Sequence, residues 1–127
     1  MRSEANRRVL TEASGGLTAS YLLEAISDAG AQPIASDILD ESFIGALGFE
    51  YCQVPSAGDP DLWSKISTLV GAKNIQVVIP TLDETLLGWS QRKDHFRQME
   101  CDVIISDPPA LEVCQDKWKT YQFFIEA

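Results

Sequence analysis

The sequence predicts an α/β fold, in which a mostly parallel sheet of four to five strands carries helices on both faces. Short apolar runs alternate along the chain with segments whose apolar residues recur at helical spacing. Residues 75–80 are almost continuously apolar and β-branched, which is typical of a central parallel strand covered on both sides. Because consecutive parallel strands are joined by right-handed crossovers, this alternation places helices on both faces of one sheet.

The first half of the chain is expected to hold three strands and two helices. The helix over residues 17–29 has Leu22, Ile26 and Ala29 on one face, and Gly30 is expected to end it. A shorter helix is predicted over residues 42–47. The predicted strands are residues 9–13, 33–37 and 50–54.

The second half is expected to add two strands and four helices. Asp59 is expected to cap a helix that begins at Pro60 and has an apolar stripe of Leu62, Ile66 and Leu69. After the strand at 75–80, a helix is expected to begin at Thr81 or Asp83. The inward residues of this helix are expected to be Leu86, Trp89 and Phe96. The next strand is predicted over residues 102–106. Asp107-Pro108-Pro109 is expected to open a short helix that ends near Cys114, and Asp116 to cap the last helix.

Composition limits the classes of partner. A chain of 127 residues with 45% hydrophobic residues suits one compact domain, with residues 1–7 as a flexible tail and 8–127 as the folded unit. The net charge of −9 argues against nucleic acid and against an anionic membrane surface. There is no apolar run long enough to span a bilayer and no signal peptide, so we expect a cytoplasmic protein.

The cysteine and histidine residues indicate neither a disulfide nor a metal site. Cys52, Cys101 and Cys114 are widely spaced and form no CxxC motif, so we expect reduced, mostly buried side chains. His95 lies in a charged stretch and is expected on the surface.

Ligands of open parallel sheets bind beyond the carboxyl ends of the strands, so the residues that follow each strand are the candidates. Ser14, Gly15 and Gly16 lie at a predicted helix start, where backbone N–H groups can hold an anion. The alternative is that both glycines only form a tight turn. Asp37 follows Gly15 by 22 positions, near the place of a ribose-binding acid, but the third glycine of a GxGxxG motif is missing.

Two acids follow the strongest predicted strand. Asp83 and Glu84 can hold the amino group of a substrate at the mouth of the sheet. The alternative is helix capping by Thr81 or Asp83, with Glu84 favoured by the helix dipole.

The last helix carries more aromatic side chains than one small domain can cover. Trp118, Tyr121 and Ile125 share a helical face, Phe124 lies close to it and Phe123 points elsewhere. Lys117 begins this helix, although a cation in the first turn is mildly unfavourable with the dipole. We therefore expect the helix to be covered by a further domain or partner.

Residues 78–87 and 106–121 resemble the N-terminal domain of ATP-grasp ligases, particularly stand-alone relatives of the carbamoyl-phosphate synthase large chain. The most specific piece is the strand followed by Ser106-Asp107-Pro108, a short helix, Asp116-Lys117 and an aromatic helix. The turn at residues 14–16, Asp37 and the region of Pro55 are also in register. The resemblance covers residues 8–126.

This resemblance implies a pre-ATP-grasp domain, a Rossmann-like three-layer fold that does not use NAD. In this family Mg-ATP activates a carboxylate as an acyl phosphate that an amine then attacks. ATP and Mg²⁺ are bound mainly by later lobes absent from this sequence, so no tight cofactor and no catalytic or metal-binding residue is expected here. The resemblance implies nucleotide contact by Lys117 and substrate contact by Ser14, Gly15, Gly16, Asp83 and Glu84.

The resulting hypothesis is the substrate-side domain of a carboxylate-amine ligase, inactive by itself, whose partner is an ATP-grasp domain in the same polypeptide or a separate subunit. One alternative is a non-catalytic domain of the same fold that docks through its aromatic helix, including as a homodimer through residues 118–125. The other is a small NAD(P)-binding domain.

Overall fold

The computed structural model describes residues 6–16, 18–40 and 43–127. Its five strands form one parallel sheet in the order β3-β2-β1-β4-β5, which confirms the predicted α/β fold with a parallel sheet. The strands are β1 (Arg8–Thr11), β2 (Gln32–Asp37), β3 (Glu50–Gln53), β4 (Val77–Ile79) and β5 (Asp102–Val103).

Every strand is followed by at least one helix, and after each of the last two strands a short helix lies next to a longer one along the chain. They are α1 (Ala19–Asp28), α2 (Phe43–Ala46), α3 (Leu62–Ala72), α4 (Asp83–Gln91), α5 (Lys93–Gln98), α6 (Pro108–Cys114) and α7 (Lys117–Glu126). Among the described residues, none of these helices has the length and apolar character that a membrane crossing requires.

Strand β2 begins one residue earlier than predicted, and the other four strands are shorter than predicted. Ala13 has a φ of 49°, so β1 ends at Thr11 and not at residue 13. The amide of Ile75 still donates to Val70 O of α3, which delays the start of β4. The amide of Ile105 donates to Val103 O, and this turn ends β5.

Two helix predictions also need correction. The helix expected at Pro60 begins at Leu62, because Asp59 accepts hydrogen bonds from the amides of Asp61 and Leu62 in a preceding turn. The helix expected to continue to Phe96 is broken at Arg92, whose backbone leaves the helical region at φ −111° and ψ 12°.

Three predicted segments begin at residues that lie outside the described part of the chain. These residues are Leu17 and Ser42, where two helices were expected to begin, and residues 1–5 of the predicted tail. The described end of that tail is hydrogen-bonded, since Asn6 N donates to Gly30 O and Arg7 O accepts from Gln32 N.

The alternation of side chains along the strands produces a core on each face of the sheet. Leu10, Ile34 and Val78 pack with α3, α4 and α5 in the larger core, which includes fully buried Trp89 and Phe96 as predicted. Ala35 points to the opposite face and packs against Leu23 of α1 and Ile44 of α2. In α1 the buried residues are Leu23 and Ile26, whereas the predicted inward residue Ala29 is exposed.

The amino ends of the strands are joined by a polar cluster. The Arg8 guanidinium donates to both carboxylate oxygens of Glu50, at 3.0 and 2.7 Å, and its Nε donates to Lys73 O. Gln32 Nε2 also donates to Glu50. The hydrogen bonds from Arg8 lower the pKa of the Glu50 carboxyl. This cluster joins β1, β2 and β3 at the edge opposite the carboxyl ends of the strands.

A glycine in α4 allows the close approach of α3. A Cβ atom at Gly88 would lie 2.1 Å from Cζ2 of Trp63, so no larger residue fits without movement of that ring. Trp63 packs edge-on against buried Trp89, with ring centroids 5.1 Å apart. The contact between α3 and α4 therefore depends on the missing side chain.

Substitution Gly88→Ala should destabilise the protein, although alanine is the better helix former. Overpacking against Trp63 should lower the free energy of unfolding by about 1–3 kcal/mol. The matched control is Gly71→Ala in α3, where the nearest atom, Cε of Met99, is 3.9 Å from an added Cβ. There the gain in helix propensity should raise stability by about 0.5–1 kcal/mol. Urea denaturation measures both, and equal effects would contradict the packing argument.

Candidate functional site

A cleft of ≈ 240 Å³ lies at the carboxyl ends of β1, β2 and β3, beside α3 and the start of α4. Three of its lining residues are acids, Glu12, Asp37 and Glu84, and no lysine or arginine of residues 6–16, 18–40 and 43–127 lines it. The rest of the lining is mainly small or apolar: Ala13, Ile38, Val54, Pro55, Ser56, Ala57, Leu62, Ile66, Leu82 and Thr85. The cleft therefore combines negative charge with apolar walls.

Glu12, the residue after β1, is a buried carboxylate held by donors from α4 and from the segment before it. Its side chain is 7% exposed. It accepts from Trp89 Nε1 at 2.8 Å, from Thr85 Oγ1 at 2.9 Å and from Thr81 N at 3.3 Å. In addition, Thr81 Oγ1 donates to Glu12 O at 2.7 Å. These bonds join the ends of β1 and β4.

The position of Glu12 coincides with the point where the strand order reverses. The chain runs from β1 outward to β3 and then returns to place β4 on the other side of β1, and such switch points are where open sheets bind ligands. A second cleft of ≈ 320 Å³, lined by Glu12, Gly16, Thr18, Leu22 and Thr81 among others, lies here. Glu12 lines both clefts, so its carboxylate and its bonds to Thr81 stand between them.

Burial raises the pKa of the Glu12 carboxyl, while the hydrogen bonds from Trp89 and Thr85 act in the opposite direction. Glu12 belongs to the first predicted strand and to the candidate positions at its carboxyl end, but the sequence did not single it out as a buried hydrogen-bond acceptor. The available signal was an acid at the end of an apolar strand, together with Thr81, Thr85 and Trp89 spaced four residues apart as donors.

The amides of the first loop are used within the protein. Ser14 N donates to Ser36 O, Gly15 N to Asp37 Oδ2 at 2.7 Å and Gly16 N to Ala13 O. The Ser14 side chain is buried and bonds to Thr11 Oγ1 and Ser36 N. The arrangement is that of a tight turn, and these three amides are not free for an external anion. Of the three residues, Gly16 lines the second cleft.

Asp37 explains why residue 15 is glycine. A Cβ atom at Gly15 would lie 2.8 Å from Asp37 Oδ2. The other carboxylate oxygen, Oδ1, accepts from the amide of Ile38 at 2.7 Å. The carboxylate thus satisfies two backbone amides and also lines the acidic cleft.

The two acids after β4 differ in position. Glu84 lines the acidic cleft, whereas Asp83 does not. The alternative that Thr81 or Asp83 caps α4 is wrong, because the N-cap residue is Leu82, which makes no side-chain capping hydrogen bond. The Thr81 hydroxyl instead donates to Glu12 O. Both acids lie in the first turn of α4, where the helix dipole favours negative charge.

The predicted cap of the last helix is confirmed. Asp116 Oδ1 accepts from the amides of Trp118 and Lys119 at 2.9 and 3.0 Å. Lys117 is the exposed first residue of α7 and lines neither cleft. The adjoining Gln115 donates from Nε2 to Asp83 O at 2.8 Å, so the start of α7 is tied to the start of α4.

Helix α7 contacts the rest of the protein mainly through α6. Thr120 Oγ1 donates to Val113 O at 2.6 Å, and no residue of α7 is buried. The predicted excess of uncovered rings is therefore present. The large apolar side chains of α7 and their exposed fractions are Trp118 (64%), Tyr121 (54%), Phe123 (58%), Phe124 (71%) and Ile125 (63%).

No group of three or more histidine, cysteine or acidic residues in the described part of the chain is arranged to hold a metal ion. All three cysteines are free, as expected; Cys52 and Cys101 are buried and Cys114 is exposed. Burial raises the pKa of the Cys101 thiol to about 12, so this thiol is protonated and unreactive at neutral pH.

Substitution of Glu12 tests the buried cluster. Glu12→Ala should lower the free energy of unfolding by about 1–3 kcal/mol, because Trp89 Nε1 would be buried without an acceptor. Glu12→Gln should cost less, since an amide oxygen can still accept from Trp89. Val9→Ala, a truncation in the adjoining strand β1, is the control for a packing loss without lost side-chain hydrogen bonds.

The pH dependence of the Glu12 contribution has a defined sign. Because its folded-state pKa is raised, native Glu12 binds a proton more tightly than unfolded Glu12 does. As pH rises from the unfolded pKa through the folded pKa, wild-type stability should therefore fall relative to Glu12→Gln. Urea titrations of both proteins across this window measure the difference, and a difference independent of pH would contradict the raised pKa.

Comparisons with known proteins support the fold. No protein-family model matches the sequence, and no curated protein matches it. Among solved structures, glycinamide-RNase-transformylase T from Mycobacterium tuberculosis is similar with a TM-score of 0.66 and 14% identity, over 91% of this chain and 31% of that one. The chain thus spans under a third of that protein. The structure of gox2181 matches 59% of this chain and 33% of its own at a TM-score of 0.48 and 10% identity, too weakly to carry an argument. The first similarity shows a shared α/β fold.

Proposed function

We propose that this chain is the N-terminal, substrate-side domain of an ATP-dependent carboxylate-amine ligase of the ATP-grasp type, and that it is not catalytic alone. The observation that carries the proposal is the hydrogen bond from Gln115 to Asp83 O. It holds the start of α7, with Lys117, against the acidic start of α4, with Glu84. The fold similarity to glycinamide-RNase-transformylase T, an ATP-grasp enzyme, supports the same reading.

The acidic cleft suits the amine substrate. Carboxylates of Glu84 and Asp37 can accept hydrogen bonds from an ammonium group, and the absence of lysine and arginine from the lining leaves the charge of the cleft negative. Apolar walls such as Ile38 and Leu62 can cover the carbon skeleton. Of the predicted substrate-binding residues, Glu84 lines this cleft, whereas Ser14, Gly15 and Asp83 do not. On this proposal Glu84 contacts the amine, and the other three residues shape or adjoin the site.

Lys117 is proposed to contact the nucleotide. Its side chain is exposed at the start of α7, where a neighbouring ATP-grasp lobe would bring the phosphates. ATP and Mg²⁺ would be held mainly by that lobe, and the lysine would add one positive charge to stabilise the transferring phosphoryl group. The carboxylate substrate would be activated there as an acyl phosphate.

An NAD(P)-binding function is less consistent with the loop geometry. Dinucleotide folds place the pyrophosphate on free amides of the glycine loop. Here the amides of Ser14, Gly15 and Gly16 donate to protein oxygens.

The test of function begins with the reading frame of the source transcript beyond the codon for Ala127. A continuation with a glycine-rich loop, a second lysine and paired acidic metal ligands would supply the proposed lobe. The longer protein should then hydrolyse ATP in the presence of an amine and a carboxylate, whereas the 127-residue chain should not. Ligation by the 127-residue chain alone would overturn the proposal, as would an immediate stop codon with no lobe encoded as a separate subunit.

In the complete enzyme, Lys117→Ala should lower kcat/KM for ATP by about 10- to 100-fold, the effect of losing one charge-assisted hydrogen bond. Lys119→Ala is the matched control, because Lys119 is equally exposed on the first turn of α7. Steady-state kinetics with varied ATP measure the effect. Equal losses in the two variants would remove Lys117 from the nucleotide site.

The exposed rings of α7 also favour a second candidate function, a non-catalytic interaction domain of the same fold. Apolar patches of this kind are typical of protein interfaces. In that function α7 would dock a partner protein, or a second copy of the chain through residues 118–125, without any nucleotide.

On either proposal the isolated chain should self-associate through α7. The double variant Phe123→Ser and Phe124→Ser should shift the chain toward monomer in sedimentation velocity experiments, because it removes two uncovered rings. Tyr21→Ser in α1 is the control, since Tyr21 is equally exposed at 72%. A wild-type chain that stays monomeric, with the amides of α7 protected from hydrogen exchange, would contradict the expectation.

A further inference from the structure

A separate cleft of ≈ 270 Å³ lies between α3 and the junction of α4 with α5. It is lined by Trp63, Ser64, Ser67, Arg92 and His95. None of these residues lines either cleft at the carboxyl ends of the strands. In a chain with a net charge of −9, this lining contains an arginine and a histidine, and none of the acids that the structure describes.

Arg92 is held in place without a carboxylate. Its guanidinium lies 4.5 Å from the centroid of the Trp63 ring, and its Nη1 donates to Gly88 O at 3.1 Å. Within the described residues no acid forms an ion pair with it, whereas Arg8, Lys65, Lys93 and Arg97 each have one. An arginine is always charged and has five N–H donors in a planar fork, so most of its donors are left for a ligand.

The platform under Arg92 is rigid. Gly88 lets the Trp63 ring lie directly against α4, and Trp63 packs on Trp89 in the core. The stacked guanidinium is thus fixed before any ligand arrives, which lowers the entropy cost of binding.

His95 forms the opposite wall. The Ser67 hydroxyl donates to Trp63 O at 2.8 Å, so at 3.0 Å from His95 Nε2 it acts as the acceptor. This bond orients the imidazole and uses Nε2, and no hydrogen bond of Nδ1 to a described residue is present. The pair is therefore not an activated serine nucleophile, because the Ser67 proton is directed to a backbone carbonyl.

We propose that this cleft binds a small phosphate-type oxyanion, with Arg92 as its bidentate ligand and His95 beside it. A planar guanidinium matches two oxygens of a tetrahedral oxyanion, and these charge-assisted hydrogen bonds are the strong ones. The site does not depend on the proposed ligase function, since it shares no residue with that site.

The experiment is a titration of the ¹⁵N-labelled chain with inorganic phosphate at constant ionic strength, followed by the NMR signals of Arg92 Nε and Trp63 Nε1. We expect saturable shifts with a Kd of about 1 mM. Arg92→Gln should weaken binding about tenfold or more, and His95→Gln should weaken it less. Arg97→Gln is the control, because Arg97 is an exposed arginine on α5 that pairs with Asp94 and lies outside the cleft.

Two further measurements test the proposal even if Arg92→Gln disturbs the packing of Trp63: titration with other anions and phosphate binding by His95→Gln. Sulfate should reproduce the shifts, whereas acetate should bind markedly more weakly, because it carries less negative charge and has no further oxygens to accept hydrogen bonds once the guanidinium fork is filled. Measurably weaker phosphate binding in His95→Gln with an unchanged core spectrum would support the site independently. Absence of saturable shifts in the wild type, equal weakening in Arg97→Gln, or acetate binding as tight as that of phosphate would overturn the proposal.

Discussion

The arrangement of the carboxyl ends of β1 and β4 depends on the hydrogen bonds of the buried Glu12 carboxylate. The carboxylate accepts hydrogen bonds from the indole of Trp89, the hydroxyl of Thr85 and the amide of Thr81. The backbone oxygen of Glu12 accepts a further hydrogen bond from the Thr81 hydroxyl. A buried charge is tolerated only when it is fully hydrogen-bonded. The same bonds therefore connect the end of β1 with the segment after β4 and with α4, at a residue that lines both clefts.

The two edges of the sheet have different physical roles. At the amino ends of the strands, Arg8 and Glu50 form a compact ion pair with Gln32 and close that edge. At the carboxyl ends, Asp37 and Glu84 line an open cleft, and no lysine or arginine among the described residues lines it. The Arg8 and Glu50 charges are therefore paired at the amino ends of the strands, whereas acidic charge lies at the carboxyl ends, where open parallel sheets bind ligands.

Much of this fold could be predicted from local sequence because its signals are local. The β-branched run around Val78, the stop at Gly30 and the cap at Asp116 each depend on neighbouring residues, and each was predicted. The break at Arg92 was not, because it accompanies the packing of Trp63 against Gly88 from another helix.

The candidate site was less predictable for the same reason. The donors to Glu12 lie 69 to 77 positions further along the chain, and no local pattern connects them to it. The glycine loop shows the same dependence on distant residues. The sequence left open whether its amides bind an anion or only form a tight turn, and the acceptor of one of them, Asp37, lies 22 positions away. Asp83 and Glu84 were identified from their position after the strongest predicted strand, and the nucleotide role of Lys117 came from the family resemblance; the roles of all three residues stay predictions.

The distance between Glu12 and its donors also determines how much of the chain is needed for autonomous folding. A fragment that ended after β3 would contain three of the five strands but none of the donors to Glu12, all of which come from residues 81–89. In such a fragment the carboxylate would either remain hydrated, which keeps the end of β1 open, or be buried without partners. We therefore expect the first half of this domain not to fold by itself, and its core to form when the chain returns to place β4 beside β1.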